Sequence, residues 1–506
     1  MRLKASPKAL CFATLWKKIV ITALSVCMLT EPAMAKADTI VPYDSYNYDY
    51  WENIVFTPAP YIPDNSVSGT TLGIGSFLNP QDLCVSPSGD VYIADTGNNR
   101  VVVVDNSLTK VLRVIESFEH DGQADTFKSP YGVCVSENGQ IYIADSDNGR
   151  IVVLEEDDLS FVKTISNPTS DVLEDDFVFN PLKVTVDYAD RVYCIARRMF
   201  QGIMVFESEG EFTGFFGTVK VNITPWEKLW RKLSTKEQRS RQQLFIPTEF
   251  TGIDIDADGF VYASNFDSNG IQAVRRLNPK GEDVIRKGEN ANVGGDILTN
   301  GTSDYSGVST IVDVVYRDKG IYSLLDSKRG RIFTYDHEGN LLYIFGGLGT
   351  QAGTFTTPVA IEAIGDKIIV LDSYRKEMLV FTETQYGDLI NQAVSLRYDG
   401  DETLAVDLWK QVLMLDENNE LANVGIGKAY LTSGDNVQAM KYLRIGMSRQ
   451  YYSVAYRRYR NEFLKEYLGV ILTVLILMVA GIVFFNKWRK KKKGFTEEEE
   501  GGAFDV

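Results

Sequence analysis

A few carboxylates and cations recur at fixed places in the sequence, and they are the first candidates for chemistry. Asp95 and Asp145 each end a Tyr-Ile-Ala-Asp segment, and Arg100 and Arg150 follow five residues later. An aspartate can act as an acid or a base, but one at a strand end can also accept backbone N–H bonds and pair with an arginine. The sequence therefore predicts that Asp95, Arg100, Asp145 and Arg150 are structural positions.

Motifs for metals, nucleophiles and phosphates are sparse. The stretch Asp254–Gly259 imitates the start of a calcium loop, but its twelfth position is Asn265 and not the bidentate glutamate that such a loop needs. The chain has 2 His and 5 Cys, and neither His120 nor His337 has a metal-ligand partner nearby in sequence. No H-E-x-x-H, G-x-S-x-G or phosphate-loop motif occurs. The sequence therefore predicts no catalytic residue, metal or cofactor, and it favours a binding protein over an enzyme.

The elements that position these residues repeat along the chain. The segment Phe77–Asp105 returns almost unchanged as Phe127–Glu155, fifty residues later. Weaker copies end their second strand near residues 197, 265, 326 and 372. Each copy is rich in Val, Ile, Tyr and Phe with glycine at the turns, which is typical of short β-strands. A period of about 40–50 residues with four strands per unit indicates a propeller blade.

The repeated pattern F-x-x-P-x-G-V-x-V…G-x-I-Y-I-A-D…N-x-R-I-x-V resembles the NHL repeat over about residues 77–381. Six units imply an all-β six-bladed propeller, which we assign to residues 40–384. The last unit lacks an outer strand, and we expect residues 40–76 to supply it, because ring closure removes an exposed sheet edge.

The resemblance also implies where a ligand would bind. Related propellers include lactonases with a central Ca²⁺ and amidating lyases that use a metal and histidine, and their ligands project from the start of the inner strands. The corresponding residues here, which we take as candidate ligand-binding residues, are Asp82, Tyr131, Lys183 and Glu249. Asp82 and Glu249 could bind Ca²⁺, whereas Lys183 and Tyr131 interrupt a ring of carboxylates and amides.

A basic insertion occupies residues 225–245 of the acidic propeller region. It holds six Lys/Arg against two Glu, and Trp226, Leu229, Trp230 and Leu233 share one helix face. Two interpretations remain open: a helix that docks on a membrane surface or a partner through Trp226, Trp230, Arg231 and Lys232, or a helix folded back onto the propeller.

The periodicity becomes helical after the propeller. Residues 386–450 hold two segments that align at an offset of 34, with a Gly-Asp turn in each, and they resemble tetratricopeptide repeats. We expect a small all-α module there, followed by a juxtamembrane helix at 451–466.

Both ends of the chain carry targeting signals. Residues 1–35 combine a basic start, an apolar run and Ala33-Met34-Ala35, which predicts a cleaved signal peptide; lipoprotein processing at Cys27 is an alternative that Val26 disfavours. Residues 468–485 lack charge and predict one transmembrane helix, and the cations that open the tail at 486–506 place that tail in the cytoplasm.

Charge is divided unevenly between these regions. The whole chain carries −16, the signal +4 and the tail +1, so residues 36–466 carry −21. This acidity argues against a nucleic-acid partner.

These observations predict a membrane-anchored, extracellular bacterial scaffold that binds a protein partner or a ligand through its propeller face or its tetratricopeptide-like module. The first alternative is a Ca²⁺-dependent, lactonase-like hydrolase. The second is a carbohydrate-binding accessory of a sugar uptake system, in which aromatic loops would bind a glycan or another small molecule.

Overall fold

The computed structural model describes residues 41–173, 177–218, 249–267, 270, 272–288, 294–298 and 306–501, with side chains to residue 491. Six antiparallel sheets form the blades of a β-propeller, and helices follow it. The predicted signal peptide and the whole basic insertion at 225–245, with Trp226, Trp230, Arg231 and Lys232, lie outside the described residues.

The first three blades each have four strands in simple up-and-down order. Their strands are β4 (Asp82–Val85), β5 (Val91–Asp95), β6 (Arg100–Val104) and β7 (Val111–Ile115); β10 (Pro130–Val135), β11 (Gln140–Asp145), β12 (Arg150–Glu155) and β13 (Phe161–Ser166); and β14 (Pro181–Val186), β15 (Val192–Ala196), β16 (Ile203–Phe206) and β17 (Phe212–Phe216).

Blades 4 to 6 follow the same order, with differences at their outer edges. Their strands are β18 (Phe250–Ile255), β19 (Val261–Asn265) and β20 (Val274–Leu277); β23 (Ile311–Asp318), β24 (Ile321–Asp326), β25 (Arg331–Tyr335) and β26 (Leu341–Phe345); and β27 (Pro358–Ile364), β28 (Lys367–Asp372) and β29 (Glu377–Glu383). Two small hairpins lie in the connections: β8 (Ser117–His120) with β9 (Gln123–Thr126), and β21 (Ile297–Leu298) with β22 (Gly307–Val308).

An early strand closes the ring. Strand β3 (Tyr61–Ser68) pairs antiparallel with β29 from Glu377↔Ser68 to Glu383↔Tyr61 and so becomes the outer strand of blade 6. This pairing confirms the expectation that the N-terminal segment completes the last blade. The tyrosine-rich stretch before it has another role, because β1 (Tyr46–Tyr48) and β2 (Ile54–Phe56) form a hairpin that extends blade 5 through Tyr46↔Ile344.

The antiparallel register defines two faces of the propeller. We call the face where the inner strands begin the upper face; the turns after Asp95 and Asp145 lie on it, because Asp145 pairs with Pro130 at the start of an inner strand. We call the face where the inner strands end the lower face.

Five helices follow the propeller: α1 (Gln385–Tyr398), α2 (Glu402–Leu415), α3 (Glu420–Ser433), α4 (Asn436–Ile445) and α5 (Arg449–Gly501). The first four helices form two hairpins. They cover the region in which two sequence segments align at an offset of 34 residues. Helix α5 is one continuous helix. The sequence predicts three separate segments in this region: a juxtamembrane helix, a transmembrane helix and a tail. Helix α5 contains no proline, its glycines at 469, 481 and 494 are isolated, and Gly501 is its last residue, so no residue forces a break.

The helices pack on the lower face of blades 5 and 6. Glu338, in the turn after β25, accepts hydrogen bonds from Arg397 of α1 and, at 2.8 Å, from Lys428 of α3. Tyr343 donates its hydroxyl to the Asn391 side chain of α1 at 2.8 Å. These charged and polar contacts join the propeller to the helical module.

Candidate functional site

The propeller axis is lined by one register position from each inner strand. In chain order this position holds Asp82, Gly132, Lys183, Gly252, Asp313 and Ala360, so charged and small residues alternate around the ring. A Cβ atom on Gly132 would collide with the Leu182 carbonyl, and one on Gly252 with Asp313. The small residues therefore give the three charged side chains the space to meet at the axis.

Lys183 joins the two aspartates. Its ammonium donates to Asp82 Oδ1 and, at 3.3 Å, to Asp313 Oδ2. The aspartates also accept backbone hydrogen bonds, from the Val133 N–H at 3.1 Å and from the Ile361 N–H at 3.0 Å. Each of the three charged residues is at most 6 % exposed. We call Asp82, Lys183 and Asp313 the axial triad.

A second ring lies two residues further along the inner strands. It holds Cys84, Cys134, Thr185, Asp254 and Glu362 around a cavity of about 40 Å³. Asp254 accepts from the Tyr316 N–H at 2.6 Å, whereas the Glu362 carboxylate, within the described part of the chain, accepts only from the Ala363 N–H at 3.3 Å. The cavity is of the order of one water molecule, too small for an organic substrate.

The axial carboxyl groups are costly to ionise. Burial raises the pKa of Asp82 to about 6 against the opposing effect of Lys183, and burial raises the pKa of Asp254 to about 7. Burial, together with the neighbouring aspartates, raises the pKa of Glu362. The two aspartates outweigh the burial of Lys183 and raise the pKa of its ammonium. The single ammonium of Lys183 cannot compensate for the charge of four buried carboxylates. Some of the carboxyl groups at the axis therefore stay protonated near neutral pH.

The raised pKa of Glu362 makes a testable contribution to stability. A carboxyl whose folded pKa is raised stabilises the fold below its unfolded pKa, and this stability is lost as pH rises through the folded pKa. We therefore expect Glu362→Gln to raise the free energy of unfolding at pH 8 by about 1 kcal/mol and to change it little at pH 5. Thermal unfolding at the two pH values measures this difference.

Glu137→Gln provides the matched control, because Glu137 is exposed in a lower-face turn. Equal effects of Glu362→Gln at both pH values would contradict the interpretation.

The structure brings together three of the candidate ligand-binding residues. Asp82 and Lys183 are in contact. Tyr131 is half-buried and lies close to both residues. Burial raises the pKa of its hydroxyl, while Lys183 lowers this pKa and Asp82 raises it. Glu249 lies just before β18, and its carbonyl accepts from the Phe266 N–H at 3.2 Å. The lysine occupies the place between two carboxylates that a cation would take.

Sequence reasoning missed Asp313, Asp254 and Glu362. The inner strands of blades 2 to 6 begin with a register shift, as between Pro130 and Gly132, which moves the axial position one residue beyond Tyr131. Aligning the copies by the position two residues after the initial Pro or its equivalent would have identified Asp313.

The repeated aspartates fasten the upper-face turns. Asp95 accepts from the Leu78 N–H at 2.8 Å and from Arg100 Nε at 2.8 Å, and Asp145 accepts from Arg150 Nε at 2.8 Å. Both carboxylates are fully buried, and such charge-assisted bonds compensate for the burial. On the lower face, the Asp256 carboxylate holds the turn before β19 by accepting from the Phe260 N–H at 2.8 Å.

Five exposed apolar side chains lie in loops on the upper face. They come from the loops of four blades and are 36–73 % exposed: Leu78, Val178, Phe200, Phe266 and Tyr374. We call these five residues the upper apolar patch. Because all five lie on one face of the ring, they are candidates for a binding surface.

Comparison with known proteins identifies the repeats. The NHL repeat profile matches residues 77–104 and 127–154. No curated protein sequence matches the chain. Among solved structures, the chain is similar to a catalytically inactive virginiamycin B lyase from Staphylococcus aureus with quinupristin, at 12 % identity and a TM-score of 0.39, covering 67 % of this chain and 94 % of that one.

It is also similar to the hydrazine synthase of Kuenenia stuttgartiensis, at 12 % identity and a TM-score of 0.38, covering 61 % of this chain and 97 % of that one. Likeness of this degree says nothing about activity. The chain is a six-bladed β-propeller that carries NHL repeats, followed by five helices, the last of which contains a segment long and apolar enough to span a membrane.

Proposed function

We propose that this protein is a membrane-anchored extracytoplasmic scaffold that binds a partner or ligand on the upper face of its propeller. The upper apolar patch is the observation that carries the proposal. Apolar and aromatic residues at the centre of an interface contribute most of its binding energy. A propeller with such residues in the loops of several blades presents them on the same face.

The position of the helices supports the choice of the upper face. The helical module packs on the lower face of blades 5 and 6, where Lys319 and Asp399 form an ion pair at 2.8 Å. The upper apolar patch lies at the opposite end of the strands. A partner on the upper face would therefore meet neither the helical module nor the start of the anchor.

The anchor and its orientation are part of the proposal. Helix α5 has an apolar segment with none of its span buried against the protein, and Lys487, Arg489 and Lys490 follow the uncharged stretch. Cations directly after a span favour the cytoplasmic side. Together with the signal peptide predicted at 1–35, these features support the proposal that the propeller lies outside the cell.

The helical hairpins α1–α2 and α3–α4 are proposed as a second, tetratricopeptide-like docking module near the membrane. The basic insertion at 225–245 remains proposed as a docking helix for a membrane or partner, or as a helix packed on the propeller.

A glycan is a second candidate ligand for the upper face. Phe200, Phe266 and Tyr374 are exposed aromatic rings, and flat aromatic faces suit the apolar faces of sugars. A calcium-dependent hydrolase has less support, because Lys183 supplies the cation between Asp82 and Asp313.

Labelling in intact cells tests the orientation. We expect Tyr374→Cys to react with a membrane-impermeant maleimide, and Lys491→Cys to react only after the membrane is permeabilised. The chain without either substitution gives the background of its native cysteines; among those described, Cys194 is buried, and the Cys134 contact and burial raise the pKa of the Cys84 thiol. Labelling of Lys491→Cys in intact cells would overturn the proposed topology.

A further inference from the structure

A polar cleft separates the rim of the propeller from the helical module. Its volume is about 380 Å³, within the usual range for a small-molecule site. The propeller side includes Arg286 and Lys287, which follow β20, and Glu338. The helical side includes the first residues of α3 and α5. The cleft lies on the lower side of the propeller, away from the upper apolar patch.

Two helix N-termini meet in this cleft. Glu420 and Leu421 open α3, and Gln450 and Tyr451 lie in the first turn of α5. The first N–H groups of a helix have no partner within the helix, and they carry partial positive charge. Two such ends at one cavity favour an anionic ligand.

Ser448 gives an independent indication of a missing partner. It stands immediately before α5, where a serine hydroxyl ordinarily accepts from an N–H of the first turn. The residue is 2 % exposed and lines the cleft, yet its Oγ has no hydrogen-bond partner among the described residues. An unpaired buried hydroxyl is costly, and a ligand that accepts from it would remove that cost.

The acids of the cleft and one of its cations, Lys428, already have protein partners, whereas two other cations have none among the described residues. The acids already accept from protein donors: Asp49 from the Trp51 N–H, Glu338 from Arg397 and Lys428, Asp416 from the Tyr386 hydroxyl, and Glu420 from the Tyr50 N–H. Arg286 and Lys287 are both exposed, and within the described part of the chain no hydrogen bond or ion pair occupies either side chain. Arg286 and Lys287 are therefore the cations of the cleft that remain available to a ligand.

We infer that this cleft binds the carboxylate or phosphate group of a small organic anion, through Arg286, Lys287, Ser448 and the N-termini of α3 and α5. The inference goes beyond the proposed function, because it concerns another surface and does not depend on binding at the upper face. A ligand held there contacts both the propeller and the first turn of α5, so it would stiffen the connection between the propeller and its anchor.

Calorimetric titration of the full chain in nonionic detergent tests the inference. The probes are inorganic phosphate, citrate and uncharged glucose; phosphate and citrate distinguish the two oxyanion types. We expect at least one anion to bind and glucose not to bind. The variant Arg286→Gln with Lys287→Gln is expected to weaken anion binding at least about tenfold, since two cations are lost.

Ser448→Asp provides a second variant that should fold well, because aspartate is a good N-cap residue. Its carboxylate would occupy the site, so we expect anion binding to be lost while the thermal unfolding temperature is kept or raised. Lys280→Gln, an exposed cation on the same side of blade 4, is the control and should bind as the wild type does. The inference is overturned if neither anion binds at about 10 mM, or if the Arg286→Gln, Lys287→Gln variant binds both as the wild type does.

Discussion

Replacing Lys183 with methionine is expected to destabilise the propeller by about 3–5 kcal/mol at neutral pH. The substitution keeps an unbranched chain of similar length but removes the ammonium that lies between Asp82 and Asp313. Both carboxylates are 4 % exposed, and they would then lie buried in the same ring without a counter-charge. The cost arises mainly from these unpaired acids and not from lost packing.

The pH dependence distinguishes this cause from a general packing defect. Asp82 has a pKa of about 6 even beside Lys183, so it takes up a proton readily on acidification. Removing the lysine raises the pKa of both aspartates further, and the destabilisation should be smaller at pH 5 than at pH 8. Chemical unfolding at the two pH values measures it.

Two further variants control this experiment. Lys280→Met removes an exposed lysine and should have little effect. Adding Asp82→Asn and Asp313→Asn to Lys183→Met should recover much of the lost stability, because no charge is then buried in the ring. A loss for Lys183→Met that stays below about 1 kcal/mol, or that is independent of pH, would contradict the role given to the axial triad.

Tyr61→Ala is expected to have the second large effect, because Tyr61 fastens the closing strand to three other parts of the molecule. The ring is fully buried and stacks on Phe345 of blade 5 with a centroid distance of 4.9 Å. Its hydroxyl accepts from Arg317 at 2.6 Å and from Asn391 of α1 at 3.4 Å. Losing a buried aromatic side chain costs about 3–5 kcal/mol.

Tyr61→Phe keeps the ring and removes only the hydroxyl. We expect it to cost about 1–2 kcal/mol, mainly because Arg317 loses an acceptor. Hydrogen exchange would locate the effect: Tyr61→Ala should increase exchange in β3 and β29, while the inner strands of blades 1 to 3 keep their protection. Equal effects of the two variants, or unchanged exchange in β29, would argue against Tyr61 as the anchor of the closing strand.

The propeller could be predicted from sequence because its information is local and repeated. The alternation of Val, Ile and Tyr with glycine turns sets the strands, and the match between Phe77–Asp105 and Phe127–Glu155 sets the period. The need to close the ring identified the N-terminal segment, and β3 fulfils that expectation. The additional hairpin of β1 and β2 on blade 5 has no counterpart in the repeat, so no comparison of copies could reveal it.

The axial residues were harder to predict because their contacts are not local. Lys183 lies 101 residues from Asp82 and 130 from Asp313, and the three meet only because blades 1, 3 and 5 surround one axis. Asp313 belongs to a divergent blade, and the bulge at the start of the inner strands shifts the axial position. The cleft beside α5 could not be predicted at all, since it depends on how the helical module packs on the propeller.

Site-specific photo-crosslinking in intact cells tests the central claim most directly. The chain offers a matched pair of tyrosines, because Tyr374 on the upper face is 73 % exposed and Tyr188 in a lower-face turn is 74 % exposed. A photoreactive phenylalanine analogue would replace one or the other. If the upper face is the binding surface, position 374 gives a discrete crosslinked product that position 188 does not give. Crosslinking from position 188 alone, or from neither position, would contradict a binding role for the upper face.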